Sequence, residues 1–157
     1  MFKKKKYTLT NEKKYELTNE KIVWEGVTLR RVRYADGTVG GFIQGYNNLS
    51  QEGECKVLDT AKVWANALVC DNATVCDSAR VCDSATVCDS ATVCSIAEVC
   101  DAEVSDSAEV SGHVYRGAKI SGNAKIGHHC VVYDNAEVHG DAEVSGISKV
   151  SGNAKIY

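Results

Sequence analysis

Residues 73–100 read ATVCDS, ARVCDS, ATVCDS, ATVCSI, AEVC, a six-residue unit with alanine first and valine third. Side chains alternate across a strand, so the first and third residues of each unit point the same way. One face of this short strand is therefore Ala and Val and has to be buried. Asp and Ser follow the strand, and such residues tolerate the left-handed backbone of a tight corner. A strand of this length cannot bury its face alone; stacked turns of a solenoid bury it together.

The spacing extends outward from this stretch in both directions, from Cys55 to Tyr157. Eighteen units can be aligned. Their third residues are Val57, Val63, Val69, Val75, Val81, Val87, Val93, Val99, Val104, Val110, Val114, Ile120, Ile126, Val132, Val138, Val144, Val150 and Ile156. All are β-branched. The first residue is Ala except at Cys55, Gly112, Cys130 and Ser148. Small residues beside Val predict a narrow, dry interior. The chain has no proline, which would remove a ladder donor from strands paired on both sides.

Units with one small and one aliphatic inward residue resemble the left-handed β-helix hexapeptide-repeat superfamily. That resemblance implies an all-β, single-stranded parallel left-handed β-helix, a triangular solenoid with three units per coil. Left-handed winding departs from the usual right-handed crossover, and it is implied by the resemblance alone. Eighteen units then give about six coils and, at about 4.8 Å per coil, a column of about 30 Å. Gly40-Gly41-Phe42-Ile43 followed by Asn48-Leu49-Ser50-Gln51-Glu52-Gly53 is similar to the opening of uncharacterised bacterial and prophage hexapeptide proteins. These are often labelled transferases on fold alone, which is an analogy.

Three segments are expected: a basic duplicated arm over 1–20, partly flexible, a small N-terminal β cap over 21–54, and the solenoid over 55–157. Residues 5–12 nearly repeat as 13–20. Strands are expected at 21–24, 27–35 and 39–44, with hairpin-type turns at Glu25-Gly26 and Asp36-Gly37. A solenoid end exposes unpaired backbone, so a cap is physically required. No cap is evident after Ile156-Tyr157, which suggests self-association or a partner there.

Residues 1–33 hold ten Lys/Arg against four Glu, and the remainder holds eight against seventeen acidic residues. Such asymmetry often marks an interaction arm. Four consecutive lysines are also commonly a solvated tail, so nucleic-acid binding is disfavoured. No long apolar run or secretory leader is evident, and the expectation is a cytoplasmic protein that does not enter a membrane. No phosphate-binding or nucleophile-elbow motif occurs, and no cofactor is expected.

Cys70, Cys76, Cys82, Cys88, Cys94 and Cys100 recur every six residues. Each follows an inward valine and should face outward. Three units per coil stack Cys70 under Cys88, Cys76 under Cys94 and Cys82 under Cys100, about 5 Å apart at Cα. This thiol ladder reads as a relic of unit duplication, as a soft-metal site or as disulfides; its metal is unknown. Asp71, Asp77, Asp83 and Asp89 read as corner chemistry or, less readily, as calcium ligands.

Two units are short, those beginning at 97 and 108. The corners at Cys100-Asp101, Ser111-Gly112-His113 and Gly127-His128-His129 are expected to stack on one edge. Cys100, His113, Tyr115, Arg116, His128 and His129 then form a binding notch. His113, His128 and His129 are the weak catalytic candidates, since histidine can ligate metal or move a proton.

The functional expectation is a non-catalytic structural or binding solenoid. It would form homo-oligomers end to end or face to face, or present its flat faces to a protein partner. The alternative is a hexapeptide-type acyltransferase. As that family is known, it would work as a trimer with a histidine at a subunit interface. Here the irregular units are deletions and not the inserted loop those enzymes carry.

Overall fold

A computed structural model describes residues 13–157. The basic run at residues 3–6 and the first copy of the duplication lie outside the described residues. The protein is a parallel β-solenoid of about six coils, with no α-helix among the described residues.

Three sheets form its faces, each receiving six of the column's short strands. The first face stacks Lys62–Val63, Arg80–Cys82, Glu98–Cys100, His113–Tyr115, Val131–Val132 and Lys149–Val150. The second stacks Leu68–Val69, Thr86–Val87, Glu103–Val104, Lys119–Ile120, Glu137–Val138 and Lys155–Ile156. The third stacks Lys56–Val57, Thr74–Val75, Thr92–Val93, Glu109–Val110, Lys125–Ile126 and Glu143–Val144. In every strand the inward Val or Ile lies beside its counterpart one coil away, as in Val63, Val81 and Val99. From Cys55 to Ala136 the first and third positions are almost all fully buried, as the unit pattern demands.

The corners explain the aspartates. Asp59, Asp71, Asp77, Asp83, Asp89, Asp101, Asp106 and Asp134 all have φ between 52° and 63°. Several of their carboxylates also reach one coil onward. Asp59 accepts the Asp77 backbone N–H at 3.0 Å, Asp71 that of Asp89 at 3.2 Å, Asp77 that of Ser95 at 2.8 Å, and Asp89 that of Asp106 at 3.1 Å. Asp106 continues the series to Gly122 at 2.8 Å. The aspartates therefore interlock successive coils and satisfy donors that the ladders leave over.

A β cap covers the start of the column. Strands β1 (Tyr15–Trp24), β2 (Val27–Tyr34) and β3 (Val39–Ile43) form an antiparallel meander. Strand β1 begins well before the expected residue 21, so the second copy of the duplication is part of the sheet. Strand β3 pairs in parallel with Lys62–Val63 and closes the first face. Leu49 bridges to Val69 and closes the second. On the third face a side chain substitutes for a strand. The Tyr34 hydroxyl accepts the Val57 N–H at 2.6 Å and donates to the Val57 carbonyl at 3.0 Å. Gly40 and Gly41 permit this close approach: a Cβ on either would lie 2.5 Å from a backbone oxygen, of Val57 or Ala61 respectively.

The two short units are absorbed within their corners, and the three-unit phase of the column does not slip. They are two units apart, however, not three. The shortened Cys100-Asp101 corner therefore joins the first face to the second, whereas Ser111-Gly112 joins the third to the first. The expectation that both deletions lie on one edge is corrected.

Candidate functional site

Because β2 runs past the end of β3, the tip of the β1–β2 hairpin overhangs the edge between the first and second faces. Glu25 and Gly26 form that tip, with φ of 47° and 81°. Trp24 turns back onto the first face, with the Lys62 ammonium 4.4 Å and the Arg80 guanidinium carbon 6.0 Å from its ring centre. Leu29, Phe42, Trp64 and Cys82 form a second small core beneath the hairpin, flanked by Trp24, Val27 and Cys100. Cys82 is buried for this reason, although its position in the unit points it outward.

Between the hairpin tip and the column edge lies an open cleft of about 640 Å³. Trp64, Tyr115 and Tyr133 give it aromatic walls, and Glu25, Asp83, Glu98 and Asp101 give it carboxylates. Among the described residues Arg116 is the one basic residue in its lining. Glu98 is already engaged, by Arg80 at 2.5 Å and by the Tyr115 hydroxyl at 3.1 Å. Burial, with Glu98 beside it, pushes the Tyr115 hydroxyl up to about 12. That hydroxyl remains a proton donor at neutral pH. Asp101 accepts the Ser84 backbone N–H at 3.1 Å. Glu25, Asp83 and Asp101 thus outnumber Arg116, and the cleft carries a negative excess beside aromatic faces.

The residues expected to share a notch divide between places. Cys100, Tyr115 and Arg116 line the cleft. His113 lies on the first face, stacked on Tyr115 with ring centres 6.0 Å apart and planes 4° apart. Its Nδ1 is buried without a hydrogen-bond partner among the described residues. His128 and His129 are exposed on the edge between the third and first faces and do not reach the cleft. Glu25, Trp64, Cys82, Asp83, Glu98, Asp101 and Tyr133 line the cleft without having been singled out for it. The available sequence signal was Trp64, an indole at a position where the six following units carry Cys.

The expected cysteine stacking matches the register, since Val69 pairs with Val87, Val75 with Val93 and Cys82 with Cys100. Cys82 and Cys100 form a disulfide with Cα atoms 4.8 Å apart. Cys70, Cys76, Cys88 and Cys94 are free and half-buried; Cys55 and Cys130 are free and buried. Burial, with the adjoining Asp and the neighbouring thiol adding to it, pushes Cys70 and Cys76 up to about 11 and Cys88 up to about 12. These thiols are poor nucleophiles at neutral pH. Among the described residues two sets of side chains bring potential metal-ligating atoms within 4.8 Å of one another with a free thiol: Asp59, Cys76 and Asp77; and Asp71, Cys88 and Asp89. Asp83 lies equally close to Cys82 and Cys100, but their sulfurs are bonded to each other.

No family model matches the chain, and no curated protein matches it. Among the described residues no helix is long and apolar enough to cross a membrane.

Proposed function

We propose that this protein is a non-catalytic binding solenoid of the hexapeptide-repeat superfamily, wound left-handed, whose ligand sits in the cleft beneath the hairpin tip. The ligand class we infer is a small organic cation such as an alkylamine. The observation that carries this reading is the coincidence of Trp64, Tyr115 and Tyr133 with the carboxylates of Glu25 and Asp83 in one cleft. A cation gains from aromatic faces and from carboxylates together, by about 0.5–2 kcal/mol for each well-placed ring.

The flat faces support the reading less. Outward positions on the second and third faces are largely threonines or alternating Lys and Glu, as in the Lys119–Glu103 and Lys155–Glu137 pairs. Such polar ladders are not apolar docking patches. Acyl transfer is also less supported, because a general base needs a pocket and an orienting partner, and His128 and His129 stand exposed on another edge. A cytoplasmic setting belongs to the same proposal. There the Cys82–Cys100 bridge would face reducing conditions.

Trp24 and Trp64 flank the site and report on it. A linear diamine titrated against intrinsic fluorescence should give a saturable change that Asp83→Asn and Tyr115→Ala weaken. A response that does not saturate, or one that both variants retain in full, would overturn the proposal.

A further inference from the structure

We propose that two edges of the column each hold one soft divalent cation of the zinc or cadmium type, between a stacked pair of cysteines and two aspartates of the same edge. This site class is separate from the cleft. On the edge joining the second face to the third, the set is Cys70, Asp71, Cys88 and Asp89. On the edge joining the third face to the first, it is Asp59, Cys76, Asp77 and Cys94.

The corner interlock accounts for the aspartates but not for the cysteines. Asp106 links to Gly122 in the same way where its unit carries Ser105 in place of cysteine. Ser121, His139 and Ser145 fill the cysteine position in later units, so the fold does not require sulfur there. Yet one thiol of each free, half-buried pair, Cys88 or Cys76, lies within reach of two aspartates, and its stacked partner, Cys70 or Cys94, is one coil away. The ligating atoms of Asp71, Cys88 and Asp89 lie within 4.8 Å of one another, and Asp59, Cys76 and Asp77 repeat this on the other edge. The Cys70 sulfur lies 3.7 Å from Asp71 Oδ2, and the Cys88 sulfur 3.7 Å from Asp89 Oδ2.

With Cys70 or Cys94 turning in to join the three residues already close, two sulfurs and two carboxylates would complete a tetrahedral set for zinc or cadmium; Cys94 would leave the Ser111 hydroxyl, 3.4 Å away, to do so. The backbone N–H groups bound to Asp59, Asp71, Asp77 and Asp89 hold these carboxylates in place, as supporting hydrogen bonds do around metal ligands. The negative surroundings that keep the thiols protonated also attract a divalent cation. Each thiol that binds forms a sulfur–metal bond and releases its proton to solvent, so affinity rises with pH.

The test is a titration of the full chain with cadmium ion alone, with the Cys82–Cys100 bridge intact and oxygen excluded. We expect a sulfur-to-cadmium charge-transfer band in the ultraviolet that saturates at one ion per edge. Cys70→Ser/Cys88→Ser should remove one of the two ions and Cys76→Ser/Cys94→Ser the other. Asp71→Asn should weaken only the first site, by about tenfold or more. Serine occurs naturally at this position in later units, so circular dichroism should show the variants folded. Absence of the band in the parent chain overturns the proposal. So does an unchanged stoichiometry when all four cysteines are serine.

Discussion

Replacing Tyr34 by Phe removes one oxygen and keeps the ring. Among the described residues that oxygen is the only partner of both the Val57 N–H and the Val57 carbonyl at the start of the third face. Tyr34 is 4% exposed and Val57 fully buried, so water does not replace the lost contacts. Leaving one buried polar group unpaired costs about 1–3 kcal/mol, and here there are two. Part of this is offset, because the hydroxyl's own desolvation is relieved; burial holds the Tyr34 hydroxyl well above its ordinary titration range. We expect a net loss of about 2 kcal/mol and a fall of about 4–8 °C in melting temperature. Solenoid stability is a sum of neighbour terms, so the damage should be local. Amide exchange should accelerate at Val57 and in the first coil, and much less at Val132 or Val138. A melting temperature within about 1 °C of the parent, with Val57 exchange unchanged, would refute the capping argument.

Gly41→Ala places a methyl 2.5 Å from the Ala61 carbonyl oxygen, so it should lower thermal stability by several degrees, whereas Gly146→Ala, whose Cβ meets nothing within 4 Å, should cost only its positive φ. Asp89→Ala should lower stability by about 1 kcal/mol in urea unfolding, because the Asp106 N–H loses its acceptor, while Asp89→Asn should retain most of it. Reducing the Cys82–Cys100 bridge frees a loop of 18 residues; chain entropy puts its contribution at about 3 kcal/mol, read as a shift in the urea midpoint between reduced and oxidised protein. The raised thiols at Cys70, Cys76 and Cys88 titrate above their ordinary value of 9.0, so at pH 8 they should alkylate more slowly in the folded protein than in urea. The stability they contribute is present below pH 9 and is lost as the pH climbs through about 11–12.

The column was legible because its determinants are local and repeated. One β-branched residue in six fixes the inward direction, and Asp or Gly fixes the corner, so faces and cysteine pairs follow by counting. The same counting, applied one unit wrongly, placed the two deletions on one edge and drew His128 and His129 towards Cys100. The cleft was less legible because it depends on contact between parts far apart in the chain. Nothing near Cys82 announces that Trp24 and Glu25 will fold across it, since the hairpin reaches that edge only through the pairing of β2 with β3 and of β3 with Lys62–Val63. Only Trp64, out of pattern at its corner, hinted at an apolar partner. The Tyr34 cap was hidden for a related reason: a single hydroxyl performs a task usually given to a strand.

Chemical-shift mapping of the protein titrated with a linear diamine tests the binding claim most directly. Binding in the cleft predicts saturable shifts concentrated at Glu25, Trp64, Asp83, Asp101 and Tyr115, with His128 and His129 unmoved. Shifts centred on His128 and His129, spread along the flat faces, or absent at saturating diamine would contradict it.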